Sequence, residues 1–208
     1  VTTLPNRNTI VAPIDFLNMP VYFDALTLMY RSDAIDLDHI QDPRLVRLAD
    51  YWQSKRDDRP IPYRAQIDPV DFPRLLPNVW LVQYDTAQDR FLYRLAGEEI
   101  RRVHPRIAFG RYIDEFLSPQ ALARIQPFYR EVLALDGGAP AILHMRGFVY
   151  RMTEHGLSAT GERLVLPLLD GEGDPRFIFG ATLYRFDPIP REAPVGDPPV
   201  TRTFIPYA

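Results

Sequence analysis

An arginine, a histidine and a group of aromatic residues are the positions in this 208-residue chain that could bind a small molecule. His144 and Arg146 alternate with Leu143 and Met145, which is the period-two pattern of a strand. An arginine fork binds carboxylate or phosphate well, so Arg146 is a candidate anion site at the mouth of a cavity. The alternative is that His144 and Arg146 lie on a solvated or interface face, because they point away from the apolar pair.

Four aromatic residues could line a pocket between a sheet and its helices. Small-molecule sites are mostly apolar with a few polar groups, and Tyr112 is the first choice because a buried hydroxyl needs a partner. The alternative is that these aromatic residues belong to an ordinary core. The predicted ligand-binding residues are Tyr93, Tyr112, Phe116, Phe128, Met145 and Arg146.

Metal and cofactor chemistry has little support in the sequence. The chain contains no cysteine, which excludes thiolate metal sites, adduct-forming flavins and thioester-linked chromophores. Asp170, Glu172 and Asp174 resemble the start of a calcium loop, but Pro175 stands where that loop needs glycine. His104 is the candidate axial ligand if haem were bound. We predict no metal site, and the cofactor is unknown.

The sequence favours binding over catalysis. Ser158 stands two positions after Gly156, as in a nucleophile elbow, but that motif needs a second glycine at position 160, which is Thr160. An enzyme needs titratable groups held together in a pocket. Asp114, Glu115 and His104 are the group that the sequence offers, and a surface cluster is the alternative interpretation. We therefore expect that the protein is not an enzyme.

Two helices are predicted from apolar spacing. The first runs from Pro43 to about Lys55, with Asp42 as its N-cap. Its apolar residues recur on one face, at Leu45, Leu48, Ala49 and Trp52. The second spans 119–135, where Pro127 either kinks the helix or begins a new one. A further short helix is expected after Asp68 and Pro69.

Five strands are predicted after residue 78, at 79–84, 90–96, 140–149, 163–169 and 177–186. The fourth and fifth are apolar on both faces, and such a sheet needs cover on both. The helical insert after the second strand can cover one face, and the helix at 43–55 can cover the other. Arg94, on the second strand, is expected to pair with Glu162.

Six stretches of the sequence, in order and spacing, resemble one proteobacterial subfamily of PAS-like domains, the fifth such subfamily, whose function is unknown. The stretches are Leu48–Trp52, Ile61–Pro69, Leu75–Pro77, Phe91–Gly97, Gly110–Tyr112, and Glu162–Leu168 with Ile178–Gly180. The resemblance implies an α+β fold, with a five-stranded antiparallel sheet that carries helices on one face and the N-terminal amphipathic helix on the other. It also implies a sensory role, without naming a ligand.

Length and composition predict one domain, at 42–186, with an N-terminal arm at 1–41 and a proline-rich tail at 187–208. The net charge of −3 gives no basic surface for nucleic acid. The first ten residues have no signal-peptide pattern, and no apolar run approaches the roughly 20 residues of a membrane helix. A cytoplasmic protein is therefore expected.

The expected function is a sensory or regulatory domain that binds a small molecule or a partner protein. Neither flanking segment contains a kinase, cyclase or DNA-binding motif, so we expect the signal to leave by protein contact. A homodimer is expected because the apolar residues of the arm and of the helix at 43–55 exceed what one sheet face can cover. Two alternatives stay open: a ligand-free interaction scaffold, and an enzyme on a similar open α+β cavity. The sequence does not say whether the arm packs on its own domain or on a second copy.

Overall fold

The computed structural model describes residues 10–14, 39–107, 109–152, 157–188 and 197–206. Within them lie seven strands: β1 (Ile10–Ile14), β2 (Val79–Asp85), β3 (Arg90–Ala96), β4 (Ala141–Met152), β5 (Leu157–Leu169), β6 (Pro175–Pro188) and β7 (Asp197–Pro206). The α-helices are α1 (Pro43–Ser54), α2 (Glu98–Val103) and α3 (Pro119–Val132). Short 3₁₀ turns at Arg64–Gln66, Pro69–Asp71, Pro73–Asn78 and Ile113–Glu115 connect them.

The strands form one antiparallel sheet in the order β1-β7-β4-β5-β6-β2-β3. The five strands predicted from the sequence stand next to one another in this sheet, in the order β4-β5-β6-β2-β3. The predicted five-stranded sheet is therefore confirmed. The longest pairing joins β5 and β6, from Leu157 opposite Pro188 to Leu169 opposite Pro175. The hairpin of β2 and β3 then closes the other side of the sheet, through β2 against β6.

Two strands extend the sheet beyond the predicted five. Strand β7 pairs with β4, from Ala141 opposite Pro206 to Gly147 opposite Val200, and β1 pairs with β7. Part of the predicted arm and part of the predicted tail therefore belong to the sheet of the same chain. Residues 15–38, on which the dimer expectation largely depends, lie outside the described residues.

Helix α1 covers one face of the sheet, as predicted. Asp42 is its N-cap and accepts a hydrogen bond from the backbone N–H of Arg44 at 2.9 Å. Trp52, fully buried, donates through Nε1 to the carbonyl of Pro167 on β5 at 2.9 Å. The buried residues of this face come mostly from α1, β5 and β6 and include Leu45, Leu48, Leu164, Leu166, Leu168 and Phe179. We call this the α1 face.

Helices α2 and α3 cover the opposite face, which we call the α3 face. Helix α3 is continuous through Pro127, so the predicted second start is not needed. Ser118 caps its N-terminus by accepting from the N–H of Ala121 at 3.2 Å. The buried residues of this face are mostly aromatic and β-branched and include Trp80, Val82, Phe91, Ile100, Tyr129, Val132, Val165 and Ile178.

Within the described residues, no helix combines the length and apolar character needed to cross a membrane.

Candidate functional site

A polar cluster lies on the α3 face, where β5 and β6 run side by side. Arg163 and Thr182 stand directly opposite each other in the strand pairing. The Nε of Arg163 donates to Thr182 Oγ1 at 2.9 Å, and Trp80 Nε1 donates to the same oxygen at 3.1 Å. The hydroxyl of Thr182, which is fully buried, therefore holds the indole of Trp80 and the guanidinium of Arg163 in place.

Aromatic rings surround this cluster. Tyr129 of α3 stacks on Trp80 with ring centres 5.8 Å apart, and its ring meets Phe91 edge-on at 5.4 Å. Tyr93 lies between Trp80 and Phe116, at 6.5 Å and 5.7 Å. Burial raises the pKa of Tyr129 to about 12 and raises that of Tyr93 as well, while the positive charge of Arg163 opposes both changes. Both phenols therefore stay protonated and can donate.

Tyr184 and His104 form the outer side of the cluster, with ring centres 6.3 Å apart. The hydroxyl of Tyr184 is buried and meets no hydrogen-bond partner in the described part of the chain, although Thr182 and Arg163 are its polar neighbours. Burial, aided by the charge of Arg163, lowers the pKa of His104 to about 4. The imidazole is therefore neutral at pH 7 and leaves the charge of Arg163 uncompensated.

No carboxylate among the described residues pairs with Arg163. Its guanidinium is half-buried, and its one described hydrogen bond is the contact of Nε with Thr182. Arg130, at the C-terminal end of α3, makes an instructive contrast because Asp89 and Asp136 both bind it at 2.7 Å. A half-buried guanidinium that no described carboxylate pairs is a candidate position for binding an anion.

An open groove of about 500 Å³ runs along the outer side of α3 near Gln126 and Pro127. Its cation is Arg130, which the two aspartates already neutralise. The groove therefore has less to offer an anion than the α3 face has.

The opposite side of the same strands carries a buried hydrogen bond between a histidine and a glutamate. Glu162 Oε1 lies 2.7 Å from His144 Nε2 and accepts from the N–H of Gln41 at 2.7 Å, while Oε2 accepts from the N–H of Asp42 at 2.8 Å. Burial lowers the pKa of His144, against the attraction of Glu162. The arrangement fixes the N-terminus of α1 to the sheet, where the helix dipole favours a carboxylate.

Four of the predicted ligand-binding residues share the α3 face. Tyr93 and Phe116 are buried in it, and Phe128 and Met145 are half-buried beside it. The structure therefore brings these four together, with the polar cluster of Arg163 on the same face. Their contact with a ligand stays a prediction.

Arg146 lies on the other side of the sheet. It follows Met145 on one strand, so the two side chains point to opposite faces, and Arg146 is exposed. The sequence hypothesis that put both residues in one site does not fit this geometry. The solvated-face alternative for His144 is also wrong, because His144 is only 2% exposed. A side chain that points away from Leu143 and Met145 is not solvated here, because α1 and residues 40–42 cover that face of the sheet as well.

Tyr112 lies in a surface network rather than in the aromatic core. Its hydroxyl donates to Asp85 Oδ2 at 2.7 Å, and the guanidinium of Arg90 lies 3.8 Å from its ring centre. Arg90 also pairs with Asp114 at 2.9 Å and with Glu115 at 3.2 Å. Two members of the predicted titratable group are thus neutralised at the surface.

The predicted pair of Arg94 and Glu162 does not form. Arg94 is exposed, with its guanidinium 5.6 Å from the ring centre of Phe109, whereas Glu162 faces α1. The two residues lie on different strands that are not neighbours, since β6 and β2 stand between β5 and β3.

The acidic turn between β5 and β6 places one oxygen each of Asp170, Glu172 and Asp174 within 4.8 Å of one another. Arg176 pairs with Asp170 at 3.1 Å and with Asp174 at 2.8 Å. This supports the interpretation as a polar turn.

Sequence reasoning missed Arg163, Thr182 and Tyr184. A signal was present, because Arg163 has the same parity as Val165 on β5, and Thr182 and Tyr184 have the same parity as Ile178 on β6. The period therefore assigns these polar residues to one inner face.

A comparison with protein-family models assigns the chain to a known class. The model of the fifth PAS-domain family, described as PAS domain, matches residues 40–183. The chain belongs to this family, which confirms the resemblance inferred from the six stretches. No curated protein and no solved structure matches it with significance.

Proposed function

We propose that this protein is a sensory PAS domain that binds a small molecule between the sheet and α3, and that passes the change to a protein partner. The observation that carries the proposal is the polar cluster of Arg163, Thr182 and Tyr184 inside an otherwise aromatic and aliphatic face. The proposed role is binding rather than catalysis, and a cytoplasmic location is part of the proposal.

The polar groups on the α3 face carry a free-energy cost that a bound ligand would offset. A face that only had to pack would be better filled by apolar side chains, because a buried polar group without a partner costs free energy. Binding sites combine an apolar lining with a few convergent polar groups. Arg163 and the hydroxyl of Tyr184 are two such groups, and the half-buried Met145 and Phe128 supply apolar surface nearby.

The proposed output side is the α1 face. Glu162 lies next to Arg163 on β5 but points to the other face, where it accepts hydrogen bonds from the N–H groups of Gln41 and Asp42, just before α1. A change in β5 would therefore reach residues 41 and 42, and through them the arm that precedes α1. We propose that a protein partner contacts this side.

The test is to purify the protein natively and to record its absorption spectrum and its mass under native and denaturing conditions. A stable excess mass that is released on denaturation supports ligand binding, and a visible band would identify a coloured cofactor. A protein at its bare mass that no small molecule stabilises would contradict the proposal.

That second outcome would favour a ligand-free scaffold. The stacked rings of Trp80, Tyr129 and Phe91 are the observation on its side, because they fill the inner part of the α3 face. The two functions differ in one measurable respect: a scaffold retains its partner contact when Arg163 is replaced by glutamine.

We also propose a homodimer. Sedimentation at micromolar concentration should give twice the chain mass of 24.0 kDa. A monomer across the whole concentration range would remove this part of the proposal.

A further inference from the structure

We propose that the ligand of the α3 face is a small organic carboxylate with an apolar body, and that the guanidinium of Arg163 binds its charged group. This inference rests on the proposed function, because it names the chemical class of the molecule that the sensory site binds.

The charge of the site gives the sign of the ligand. An arginine carries five N–H donors in a fixed fork. One of them, on Nε of Arg163, is used by Thr182, and the guanidinium forms no ion pair with a carboxylate of the described residues. His104 is neutral at pH 7 and adds no negative charge. An anion is therefore the ligand that removes the cost of the uncompensated cation.

The hydrogen-bond inventory gives the shape of the charged group. The free edge of a guanidinium matches two oxygens of a carboxylate in a bidentate contact. Tyr184 adds a buried O–H without a described partner, close to the same guanidinium. A carboxylate can accept from both residues at once because each of its oxygens has two lone pairs.

The side chains around Arg163 indicate the chemical character of the rest of the ligand. Side chains from α3 and β4 that face this side of the sheet are apolar but only half-buried: Leu122, Ile125, Phe128 and Met145. Burying the rest of these side chains against an apolar group is favourable. A bare inorganic anion would leave that surface in water, so an organic acid fits better than phosphate.

The experiment is calorimetric titration of the full chain with phenylacetate and hexanoate, each compared with its neutral amide, and with inorganic phosphate. We expect the carboxylates to bind and the amides to bind at least tenfold more weakly. Arg163→Gln should lower the affinity for the carboxylates by about tenfold to hundredfold, the range for a hydrogen bond to a charged group. Tyr184→Phe should give a smaller loss.

Arg146→Gln is the matched control. It removes an exposed arginine seventeen positions away on the neighbouring strand, on the other face of the sheet, and should leave carboxylate affinity unchanged. Arg163→Lys keeps the charge but loses the fork, so it should bind more weakly than the wild type and more tightly than Arg163→Gln. It also serves if the glutamine variant fails to fold.

Several results would overturn the inference. Equal affinity for amides and carboxylates would remove the charge argument. A loss of carboxylate affinity confined to Arg146→Gln would place the site on the α1 face. Binding of phosphate but of neither carboxylate would exclude a ligand with an organic body. Failure of both carboxylates to bind the wild type would also remove it. If the native protein instead carries a neutral molecule that Arg163→Gln retains, the ligand class is wrong while the sensory function stands. Absence of any ligand, native or added, would remove both.

Discussion

At the scale of single residues, His104 shows how burial next to a cation changes the protonation of a side chain. Its folded pKa of about 4 lies below the ordinary value of 6.5, mainly because burial disfavours the charged ring. The unfolded chain therefore binds a proton more readily than the folded one. Stability from this residue is complete above pH 6.5 and is lost as the pH falls from 6.5 to about 4.

We expect His104 alone to lower the free energy of unfolding by roughly 2–3 kcal/mol between pH 6.5 and pH 4. His104→Gln cannot take up this proton and should show a correspondingly shallower decline. Urea denaturation of both proteins at four pH values measures the difference, which separates His104 from the carboxylates common to both. Parallel curves would show that His104 titrates normally in the folded protein.

Gly180 is the residue on which the indole of Trp80 rests. A Cβ at this position would overlap the six-membered ring of Trp80. The glycine therefore allows the indole to lie flat on β6 and to reach Thr182.

Gly180→Ala should lower the free energy of unfolding by roughly 1–3 kcal/mol, as overpacking does. Gly171→Ala, in the acidic turn where nothing lies within 4 Å of the added atom, should change it by no more than about 0.5 kcal/mol. Urea denaturation compares the two. Similar losses would mean that the effect comes from backbone conformation rather than from the tryptophan.

At this scale the sequence predicted that Tyr93 and Phe116 lie between the sheet and its helices, and both are buried there; their contact with a ligand stays a prediction. It misplaced Glu162, because the partner of a buried carboxylate depends on which strands become neighbours. It misplaced His144, because alternation along a strand assigns a face and does not say whether that face is covered.

At the scale of elements, helix α1 depends on a contact with a residue 120 positions away. Glu162 accepts the N–H groups of Gln41 and Asp42, which the helix itself leaves unpaired. This contact joins β5 to the two residues that precede α1.

Glu162→Ala should lower the free energy of unfolding by roughly 2–4 kcal/mol, because it leaves two backbone donors and His144 without their acceptor. Glu162→Gln keeps an acceptor for one donor and should lose about half as much. Hydrogen exchange should accelerate first at residues 41 and 42. An unchanged exchange rate at these amides in Glu162→Ala would show that α1 is held by its apolar contacts alone.

Apolar spacing predicted α1, α3 and four of the five central strands to within three residues, because each buries at least one well-defined face. Strand β5 begins at Leu157, six residues before the predicted start. Strand β7 was missed for an identifiable reason. Pro198, Pro199 and Pro206 read as loop residues, yet they stand at the ends of the strand, where proline is tolerated.

At the scale of the whole molecule, β7 protects β4 from becoming an edge. Strand β4 is long, and an exposed long strand presents unpaired N–H and C=O groups to other chains. In this sheet β7 pairs with β4 and in turn provides the partner of β1.

A chain that ends at residue 188 should therefore be less stable and should associate with itself as its concentration rises. Thermal unfolding gives the first quantity, and light scattering at several concentrations gives the second. A shortened chain as stable and as dispersed as the full one would show that the five central strands are sufficient.

The two tryptophans of the chain lie on opposite faces of the one sheet, and each indole N–H is fixed by a hydrogen bond, Trp52 to Pro167 and Trp80 to Thr182. The molecule thus has one intrinsic fluorophore on each side. In Trp52→Phe the emission comes from Trp80 on the α3 face, and in Trp80→Phe it comes from Trp52 on the α1 face. A structural change confined to the α3 face would alter only the emission of Trp80. A change transmitted across the sheet would alter the emission of Trp52 as well, and neither measurement needs an added label.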